Sequence, residues 1–350
     1  MNRCILVTGG TGFIGSHTCI RLIQKGYKVI ILDSLINSSK KVIKRILDIT
    51  NDVNDSAKKI DFYEGDLRDK NLLRGIFENY KKNDERITRV IHFAGLKSVK
   101  ESKDKPLLYW DFNVVSTISL LEIMHQYECY NLVFSSSATI YGYSGVDLIN
   151  EECKVKPINT YGRTKALIEQ IISDVYYSSP KKWNIINLRY FNPIGAHPSG
   201  LIGEEPKGIP NNIFPLITKV ALGEIKEIKI FGNDWETPDG TGIRDYIHIM
   251  DLAEGHVKAL EILDKNIENI LNINLGTGLG TSVMELIKTF EIVNKVKVPY
   301  SFSPRREGDY AKVVANNELA KKVLNWFPKK NIKEMCLDGW RWKLRNPDGY

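Results

Sequence analysis

Cysteine and histidine are both scarce in this chain of 350 residues. The five cysteines contain no CxxC pair, and the six histidines show no HxxxH or HExxH spacing. Without such spacings the chain offers neither a disulfide framework nor a zinc site, and its cysteine usage fits a reducing compartment. We therefore expect a cytoplasmic protein with no bound metal.

Long apolar runs are missing as well, and we expect no segment that spans a bilayer. The chain opens almost directly on a strand-like run, Cys4 to Val7, so we also expect no signal peptide. The formal net charge of +7 arises from scattered lysines, whose short clusters are interrupted by polar or acidic residues. That distribution predicts solvated faces and no nucleic-acid partner, although a mildly basic surface helps to attract a phosphorylated substrate.

Apolar runs alternate with amphipathic segments through the first half of the chain. The runs 4–8, 28–32, 60–63, 89–93 and 131–135 read as strands, and several are nearly continuous in apolar residues, which is typical of strands buried on both faces. That rhythm predicts a doubly wound parallel sheet with right-handed crossovers, an α/β fold of the Rossmann type.

The character of the sequence changes after Asn192. Residues 193–213 are rich in proline and glycine, and short strand-like and helix-like segments follow. We expect a Rossmann cofactor domain over 1–192 and a smaller α/β substrate domain over 193–350. A second glycine cluster at 276–280 has no acidic partner in a βαβ unit, so we interpret it as structural or as a loop lining the substrate cleft.

A glycine-rich turn follows the first predicted strand. Gly9, Gly12 and Gly15 form a GxxGxxG pattern that opens a helix, which allows a tight turn and a close backbone approach to a pyrophosphate. Asp33 ends the next predicted strand, where a carboxylate accepts hydrogen bonds from an adenosine ribose and repels a 2′-phosphate. The pattern predicts a dinucleotide site that prefers NAD to NADP. Two further strand ends are expected to face the cofactor, at Asp66 and at Phe93-Ala94-Gly95.

Tyr161 and Lys165 stand four residues apart in a helix-like segment, which places a phenol and an ammonium on one face. A neighbouring ammonium lowers the pKa of a phenol and prepares it to act as a general base. A hydroxyl of the upstream SSSAT run, Ser137 or Thr139, is expected to donate to the same substrate oxygen. Behind a dinucleotide turn, this order of motifs predicts hydride chemistry on an alcohol.

Several longer runs carry a resemblance to a known family. They are HFAGLK at 92–97, RYFNP at 189–193, GIPNN at 208–212, FGND at 231–234, DGTGIRDY at 239–246 and PRREGD at 304–309. With these runs the chain resembles the extended short-chain dehydrogenase/reductase family, and within it the UDP-glucose 4-epimerases, over essentially its whole length. The resemblance implies a tightly held NAD and a UDP-sugar that is interconverted at C4 through a transient 4-keto sugar.

The resemblance also implies a full set of site residues. The catalytic residues are Tyr161, Lys165 and Ser137. The residues expected to contact NAD are Gly9, Gly12, Phe13, Ile14, Gly15, Asp33, Asn37, Ser38, Asp66, Leu67, Phe93, Ala94, Gly95, Lys97, Asn113, Ser135, Tyr161, Lys165 and Tyr190. Those expected to contact the UDP-sugar are Lys97, Ser137, Ala138, Thr139, Tyr161, Phe191, Asn192, Asn212, Ile213, Lys229, Phe231, Arg244, Arg306, Asp309 and Val313.

Two positions depart from the family pattern. Ser116 stands where glycine is frequent in the family, and we expect it to affect packing more than chemistry. Val313 stands where similar enzymes wall the sugar pocket, and a small residue there is associated with accepting N-acetylated sugars. We therefore expect some activity toward UDP-N-acetylglucosamine and UDP-N-acetylgalactosamine.

Other functions on the same scaffold stay open. A nucleotide-sugar 4,6-dehydratase needs an additional acid and base, and related enzymes place carboxylates directly after the serine position, where this chain has Ala138 and Thr139. A dehydrogenase or reductase with an exchangeable cofactor is a second alternative. A non-catalytic NAD-sensing module is a third, although such a module has no need of Tyr161, Lys165 and Ser137 together.

The oligomeric state is also open. The resemblance implies a homodimer that packs helices of the first domain into a small bundle. One set of residues fits either such an interface or an ordinary buried helix: Leu107, Val114, Thr117, Leu121 and Met124.

Overall fold

The computed structural model describes residues 4–142, 145–208, 210, 212–265, 269–306 and 308–350. Positions 1–3 of the N-terminus, 209 and 211 of the GIPNN run and 307 of the PRREGD run lie outside the described residues. The strands are β1 (Cys4–Thr8), β2 (Lys28–Asp33), β3 (Ile60–Glu64), β4 (Arg89–His92), β5 (Asn131–Ser137), β6 (Asn184–Tyr190), β7 (Asn192–Ile194), β8 (Ile228–Phe231), β9 (Ile243–His248), β10 (Ile270–Leu275), β11 (Gly280–Ser282), β12 (Tyr300–Ser303) and β13 (Lys312–Val313).

The helices include long ones that cover the sheet and short ones that shape its loops. They are α1 (Phe13–Gln24), α2 (Lys41–Ile49), α3 (Lys70–Lys82), α4 (Val99–Asp104), α5 (Pro106–Tyr109), α6 (Ser116–Gln126), α7 (Thr160–Ser178), α8 (Ile213–Ala221), α9 (Ile249–Leu263), α10 (Val283–Asn294), α11 (Glu318–Leu324) and α12 (Ile332–Arg345). A π-helical segment, Trp110–Val115, joins α5 to α6, and short 3-10 turns occur at Ser56–Lys59 and Ala138–Ile140.

Seven strands of the described chain form one sheet, in the order β10-β6-β5-β4-β1-β2-β3. β1 pairs in parallel with β2 and β4, and further parallel pairs join β2 to β3 and β4 to β5. The order from β3 to β6 is that of a Rossmann sheet, and the predicted α/β fold class is confirmed. Because the strand order reverses between β1 and β4, the carboxyl ends of these strands border the crevice where such folds bind ligands.

The described residues divide into two compact units. The first unit comprises Met1–Gly142, Val155–Arg189 and Ala253–Ile273, and the second comprises Tyr143–Lys154, Tyr190–Leu252 and Asn274–Tyr350. The two contiguous domains expected from the sequence therefore interleave. The physical reason is that β10, from the expected substrate domain, joins the large sheet beside β6 and gives that strand a backbone partner on its outer edge.

In the second unit, β9 lies between shorter strands. It pairs in antiparallel fashion with β11 and in parallel with β13 and β7, while β8 and β12 form a separate parallel pair. Phe214, Phe290 and Trp340 stack edge to face in the core of this unit, with ring centroids 5.9 and 5.5 Å apart. Through these three rings α8, α10 and α12 pack against one another.

The helical stretch Pro106–Gln126 is long and apolar enough to cross a bilayer by composition alone, with a mean hydropathy of 1.2. The core helix of a globular protein passes the same test of length and composition, so this stretch does not contradict the expectation that no segment spans a bilayer. In the fold, 56% of the stretch is buried, and Leu120, Ile123 and Met124 lie in the core of the first unit. The stretch is apolar because it packs inside the first unit.

Candidate active site

The glycine turn joins β1 to α1 at the carboxyl end of the large sheet. Gly9 has a φ of +70°, and a Cβ there would lie 2.7 Å from the backbone nitrogen of Ala94. At Gly15 a Cβ would lie 2.3 Å from the carbonyl oxygen of Gly9. Because Gly9 has no side chain, the turn can lie close to the backbone of the loop after β4. Because Gly15 has none, α1 can pack closely against the turn itself. The N-cap of α1 is Gly12, so the cap carries no side chain over the first amide groups of the helix.

Asp33 connects the glycine turn to the loop that follows β2. Its carboxylate accepts hydrogen bonds from the Thr11 amide at 3.0 Å, the Leu35 amide at 2.9 Å and the Ser38 hydroxyl at 2.9 Å. The Thr11 hydroxyl in turn donates to the Ser38 oxygen at 2.8 Å. The structure thus brings two predicted cofactor residues, Asp33 and Ser38, together with the glycine turn, and Asn37 lies exposed in the same loop.

Asp66 has a partner that the sequence did not indicate. Arg68 donates to both of its carboxylate oxygens, from Nε at 3.0 Å and from Nη2 at 2.6 Å, and also pairs with Asp111. This hydrogen bonding holds the pKa of Asp66 below its usual value. The guanidinium of Arg68 stacks on the Phe112 ring, 3.7 Å from its centroid. Asp66 is therefore placed by an ion pair at the end of β3, while the next residue, Leu67, is part of the core.

Asn113 clamps the loop after β4. Its side-chain oxygen accepts from the Leu96 amide at 2.7 Å, and its nitrogen donates to the Leu96 carbonyl and to the Thr164 hydroxyl, both at 3.1 Å. The Thr164 hydroxyl in turn donates to the Tyr161 carbonyl at 2.7 Å, so Asn113 is connected through Thr164 to the backbone of Tyr161. The structure gives this predicted cofactor residue a bridging role between α7 and the loop that carries the exposed Lys97.

Tyr161 lies in the first turn of α7, next to the end of β5. Burial raises the pKa of its phenol to about 12, and a hydrogen bond with the Ser137 side chain acts in the opposite direction. The Ser137 oxygen also accepts from the Thr139 amide at 3.2 Å and the Thr139 hydroxyl at 2.9 Å. Ser137 therefore contacts both Tyr161 and Thr139, the other hydroxyl that the sequence proposed.

Two small features let α7 begin so close to β5. The Asn159 side chain caps the helix by accepting from the Gly162 amide at 2.8 Å. At Gly162 itself a Cβ would lie 2.8 Å from the Thr139 carbonyl oxygen. The glycine after Tyr161 thus permits the close approach that brings the phenol to Ser137.

Lys165 is directed toward the backbone of β5. Its Nζ donates to the Ser135 carbonyl at 2.7 Å and lies 4.8 Å from the centroid of the Phe134 ring. Burial lowers the pKa of Lys165 to about 8, although the carboxylate of Glu169 acts to raise it. The predicted lowering of the Tyr161 pKa by this lysine differs from the structure, where the pKa is raised. The reason is that desolvation of the phenol outweighs the contacts made to it.

In the second unit, part of the predicted substrate set meets on β9 and β13. Arg244 donates from Nη1 to the carbonyls of Ile243 at 2.9 Å and Tyr310 at 2.8 Å, and its Nη2 lies 3.6 Å from the Asp309 carboxylate. Val313 is the register partner of Arg244 in the parallel pair of strands. Arg244, Asp309 and Val313 are therefore neighbours, as one binding surface would require.

A second predicted pair is formed by Arg306 and Phe231. The guanidinium lies over the ring, 3.7 Å from its centroid, which is a cation–π geometry. The other predicted residues take separate places in the same unit. Tyr190 and Phe191 are buried, Asn192 begins β7, Asn212 donates to Glu204 at 2.9 Å ahead of Ile213 in α8, and Lys229 is exposed on β8.

The glycine cluster 276–280 surrounds a buried carboxylate. Asp245 accepts from the amide and the hydroxyl of Thr277, both at 2.7 Å, from the Gly278 amide at 2.9 Å and from the Ala315 amide at 3.1 Å. A Cβ at Gly276 would lie 2.6 Å from a carboxylate oxygen of Asp245. The cluster therefore has a structural role, one of the two interpretations that the sequence allowed, and sequence reasoning missed Asp245 at its centre.

A family model described as GDP-mannose 4,6 dehydratase matches residues 6–338. "UDP-glucose 4-epimerase 2" of Arabidopsis thaliana is 48% identical over 350 residues, which cover 100% of this chain and 97% of that protein. This chain belongs to the UDP-glucose 4-epimerase family. The predicted family and the predicted enzyme class, an epimerase, are confirmed.

Two crystal structures of such epimerases are similar to this fold. The structure from Stenotrophomonas maltophila, with bound NAD and formylated UDP-arabinopyranose, is 42% identical, has a TM-score of 0.93 and covers 99% of each chain. The structure from Bifidobacterium longum, in complex with NAD+ and UDP, is 45% identical with a TM-score of 0.91, and the match covers 99% of this chain and 100% of that one.

Proposed function

We propose that this chain is an NAD-dependent epimerase that interconverts UDP-glucose and UDP-galactose through a 4-keto sugar. The observation that carries the proposal is the contact of Tyr161 with Ser137, with Lys165 on the same face of α7. A base and a hydroxyl donor beside a dinucleotide turn are what the oxidation of a secondary alcohol requires. Membership in the UDP-glucose 4-epimerase family supports the choice of substrate.

The glycine turn fits NAD. Gly9 and Gly15 leave no room for a Cβ, and Gly12 leaves the N-terminus of α1 open to a pyrophosphate. Asp33 stands at the end of β2, where a ribose would lie. When bound, NAD would accept a hydride from C4, return it to the other face of the sugar, and supply a positive charge near the phenol.

Tyr161 Oη is the proposed base for the proton of the 4-hydroxyl. Because burial raises its pKa to about 12, the phenol of the protein alone holds its proton at neutral pH. The hydrogen bond from Ser137 favours the phenolate, and the Lys165 ammonium, held by the Ser135 carbonyl, adds positive charge on the same helix face. These groups, together with a cationic cofactor, favour transfer of the proton to Oη.

Two arginines support a substrate that carries a diphosphate. Arg244 is fixed by carbonyl contacts beside Asp309, and Arg306 is held over Phe231. Guanidinium groups bind diphosphates through charge-assisted hydrogen bonds, and a carboxylate accepts from a ribose hydroxyl. Val313 adjoins Arg244 in register, and its small side chain supports the further proposal that N-acetylated UDP-sugars are accepted.

We also propose a homodimer, which is supported by apolar side chains on the surface of neighbouring helices. Leu107 is 80% exposed and Val115 45% exposed along the stretch 106–126, and Ile118 and, on α7, Leu167 are also exposed. Exposed apolar patches of this kind are typical of subunit interfaces. The other residues of the pattern considered for the interface are instead buried: Val114, Thr117, Leu121 and Met124.

We propose a cytoplasmic location on the basis of the thiols. The five cysteines all lie among the described residues and form no disulfide there, and Cys153 is the one that is partly exposed. Free thiols persist in a reducing compartment, so this cysteine state supports the proposal.

A 4,6-dehydratase is the second candidate, because the matching family model carries that description. Elimination of water needs carboxylates after the serine position. In this chain Ala138 and Thr139 follow Ser137 in a short 3-10 turn, and the Thr139 hydroxyl donates to Ser137. The turn therefore supplies a hydrogen bond where a dehydratase would require an acid, which favours epimerisation.

The decisive experiment is to incubate the purified protein with UDP-galactose and a catalytic amount of NAD, without a reductant. We expect UDP-glucose to form until its ratio to UDP-galactose is constant. With UDP-N-acetylgalactosamine we expect UDP-N-acetylglucosamine to form in the same way. Formation of a dehydrated keto sugar would favour the dehydratase instead. Consumption of cofactor in step with substrate would identify a dehydrogenase.

A further inference from the structure

A buried ion pair lies one helical turn beyond Lys165 and has no part in the proposed reaction. The carboxylate of Glu169 accepts from Arg189, from Nε at 3.0 Å and from Nη2 at 2.6 Å. Arg189 Nη1 also donates to the Tyr141 hydroxyl at 3.0 Å. Glu169 is 8% exposed and Arg189 3%. Charges so far from solvent persist where their polar atoms are satisfied, so this pair has a fixed geometry.

Three consecutive residues of β5 contact three successive turns of α7. Tyr161, Lys165 and Glu169 are each four residues apart, so they lie on one face of the helix. The contacts are Ser137 side chain with the Tyr161 phenol, Ser135 carbonyl with Lys165 Nζ at 2.7 Å, and Ser136 hydroxyl with the Glu169 carboxylate at 2.5 Å. The third contact fixes the register of the first two, because β5 and α7 are both rigid elements.

We propose that Glu169 is a positioning residue that holds Lys165 in place and in its charged form, an inference that rests on the proposed function. Glu169 is anchored from two directions, by Arg189 on β6 and by Ser136 on β5. These two anchors fix the carboxylate one helical turn beyond Lys165 on α7, where its charge acts on the ammonium. The sequence carried a signal for this role, since the Tyr161–Lys165 spacing repeats once more at Glu169.

The charged and titratable groups around Lys165 make this role specific. Tyr161 and Glu169 flank it on α7, His92 faces it from β4, and Arg189 lies behind Glu169 on β6. Burial lowers the pKa of His92 to about 3, so that ring is neutral. Among these described groups Glu169 carries the negative charge. Without it, the Arg189 guanidinium and burial would both disfavour the ammonium of Lys165.

The test compares Glu169→Gln with a matched control, Asp264→Asn. Asp264 accepts from Arg89 Nε at 2.5 Å at the start of β4, the end of that strand away from the glycine turn. Both substitutions remove a carboxylate that accepts a hydrogen bond from a buried arginine, so both should lower the melting temperature. We expect the pKa of Lys165, followed by NMR of labelled lysine side chains in the protein without substrate, to fall by about one unit in Glu169→Gln alone.

Epimerisation gives the second measurement. Because the ammonium is the active form of Lys165, activity should decline above about pH 8 in the wild type and above about pH 7 in Glu169→Gln. The variant should therefore lose about fivefold in kcat at pH 8 and little at pH 6, while Asp264→Asn keeps the wild-type profile. Ser136→Ala removes the contact with β5 and spares the ion pair, and we expect a smaller shift in the same direction.

An unchanged Lys165 pKa in folded Glu169→Gln would overturn the inference and leave Glu169 a structural residue. If Glu169→Gln does not fold, an unchanged Lys165 pKa in Ser136→Ala would do the same. The two proposals fail separately. Absence of epimerisation by the wild type would refute the proposed function, whereas the lysine titration would still decide the role of Glu169.

Discussion

The substitution Gly162→Ala adds one methyl group next to Tyr161 and so tests how closely α7 must approach β5. A Cβ there would lie 2.8 Å from the Thr139 carbonyl oxygen and 3.0 Å from Pro157 Cβ, so in Gly162→Ala the first turn of α7 must move by a few tenths of an ångström. Overpacking costs about 1–3 kcal/mol, and replacing a helical glycine offsets about 0.5–1 kcal/mol of that. The net destabilisation is then about 0–2.5 kcal/mol.

We expect Gly162→Ala to lower kcat as well as the free energy of unfolding. The displaced turn carries Tyr161, so the shift falls on its contact with Ser137. A misplacement of 1 Å can cost on the order of 100-fold in rate, and a few tenths should cost about tenfold in kcat. KM should change little, because the arginines proposed to bind the diphosphate lie in the second unit.

Gly75→Ala is the matched control. Gly75 lies inside α3, and a Cβ there would meet no described atom within 4 Å. We expect a gain of about 0.5–1 kcal/mol in unfolding free energy and wild-type turnover. Thermal unfolding and steady-state kinetics with UDP-galactose measure both variants. Wild-type kcat in Gly162→Ala would refute the reasoning, because it would show that the close approach of α7 to Thr139 does not set the catalytic geometry.

Four further predictions concern the base, the lysine, the sugar pocket and the interface. Tyr161→Phe should reduce turnover by about 100-fold or more while leaving NAD binding, measured by cofactor fluorescence, unchanged. The tyrosinate absorbance that this variant lacks should appear at lower pH in the NAD-loaded wild type than in the NAD-free protein, where burial raises the pKa of the phenol to about 12. Lys165→Met should reduce this difference between the NAD-loaded and the NAD-free protein. A tyrosinate titration identical to that of the wild type would show that the ammonium does not act on the phenol. Val313→Tyr should remove turnover of UDP-N-acetylgalactosamine and spare that of UDP-galactose, assayed side by side. Ile118→Glu should give monomers in sedimentation equilibrium, and a dimer of undiminished affinity would place the interface elsewhere.

The fold was largely accessible from the sequence because buried parallel strands require apolar runs. The runs 28–32 and 89–93 correspond to β2 and β4 within one residue at each end. The place of β10 was not accessible, because the partner of a strand depends on which sheet edge is open in the folded chain. The π-helical segment 110–115 was also missed, since its composition is that of an ordinary amphipathic helix.

The sequence predicts those features of the site that depend on local spacing, but not those that depend on burial. The interval between Tyr161 and Lys165 predicts a shared helix face, which the structure has. The direction of the pKa shift of Tyr161 was missed, because desolvation depends on everything packed around the phenol. The clamp formed by Asn113 and the ion pair of Arg68 likewise depend on contacts between distant segments.

The opposite shifts of Tyr161 and Lys165 have one cause and one consequence. Burial raises the pKa of the phenol from 10.0 to about 12 and lowers that of the ammonium from 10.5 to about 8, because a low-dielectric site penalises each charged form. We therefore expect the phenolate to form when further positive charge enters the site, so that the proposed base becomes stronger when the oxidised cofactor is bound. A substitution that admits water beside Tyr161 should bring both pKa values back toward 10.0 and 10.5 and weaken that dependence.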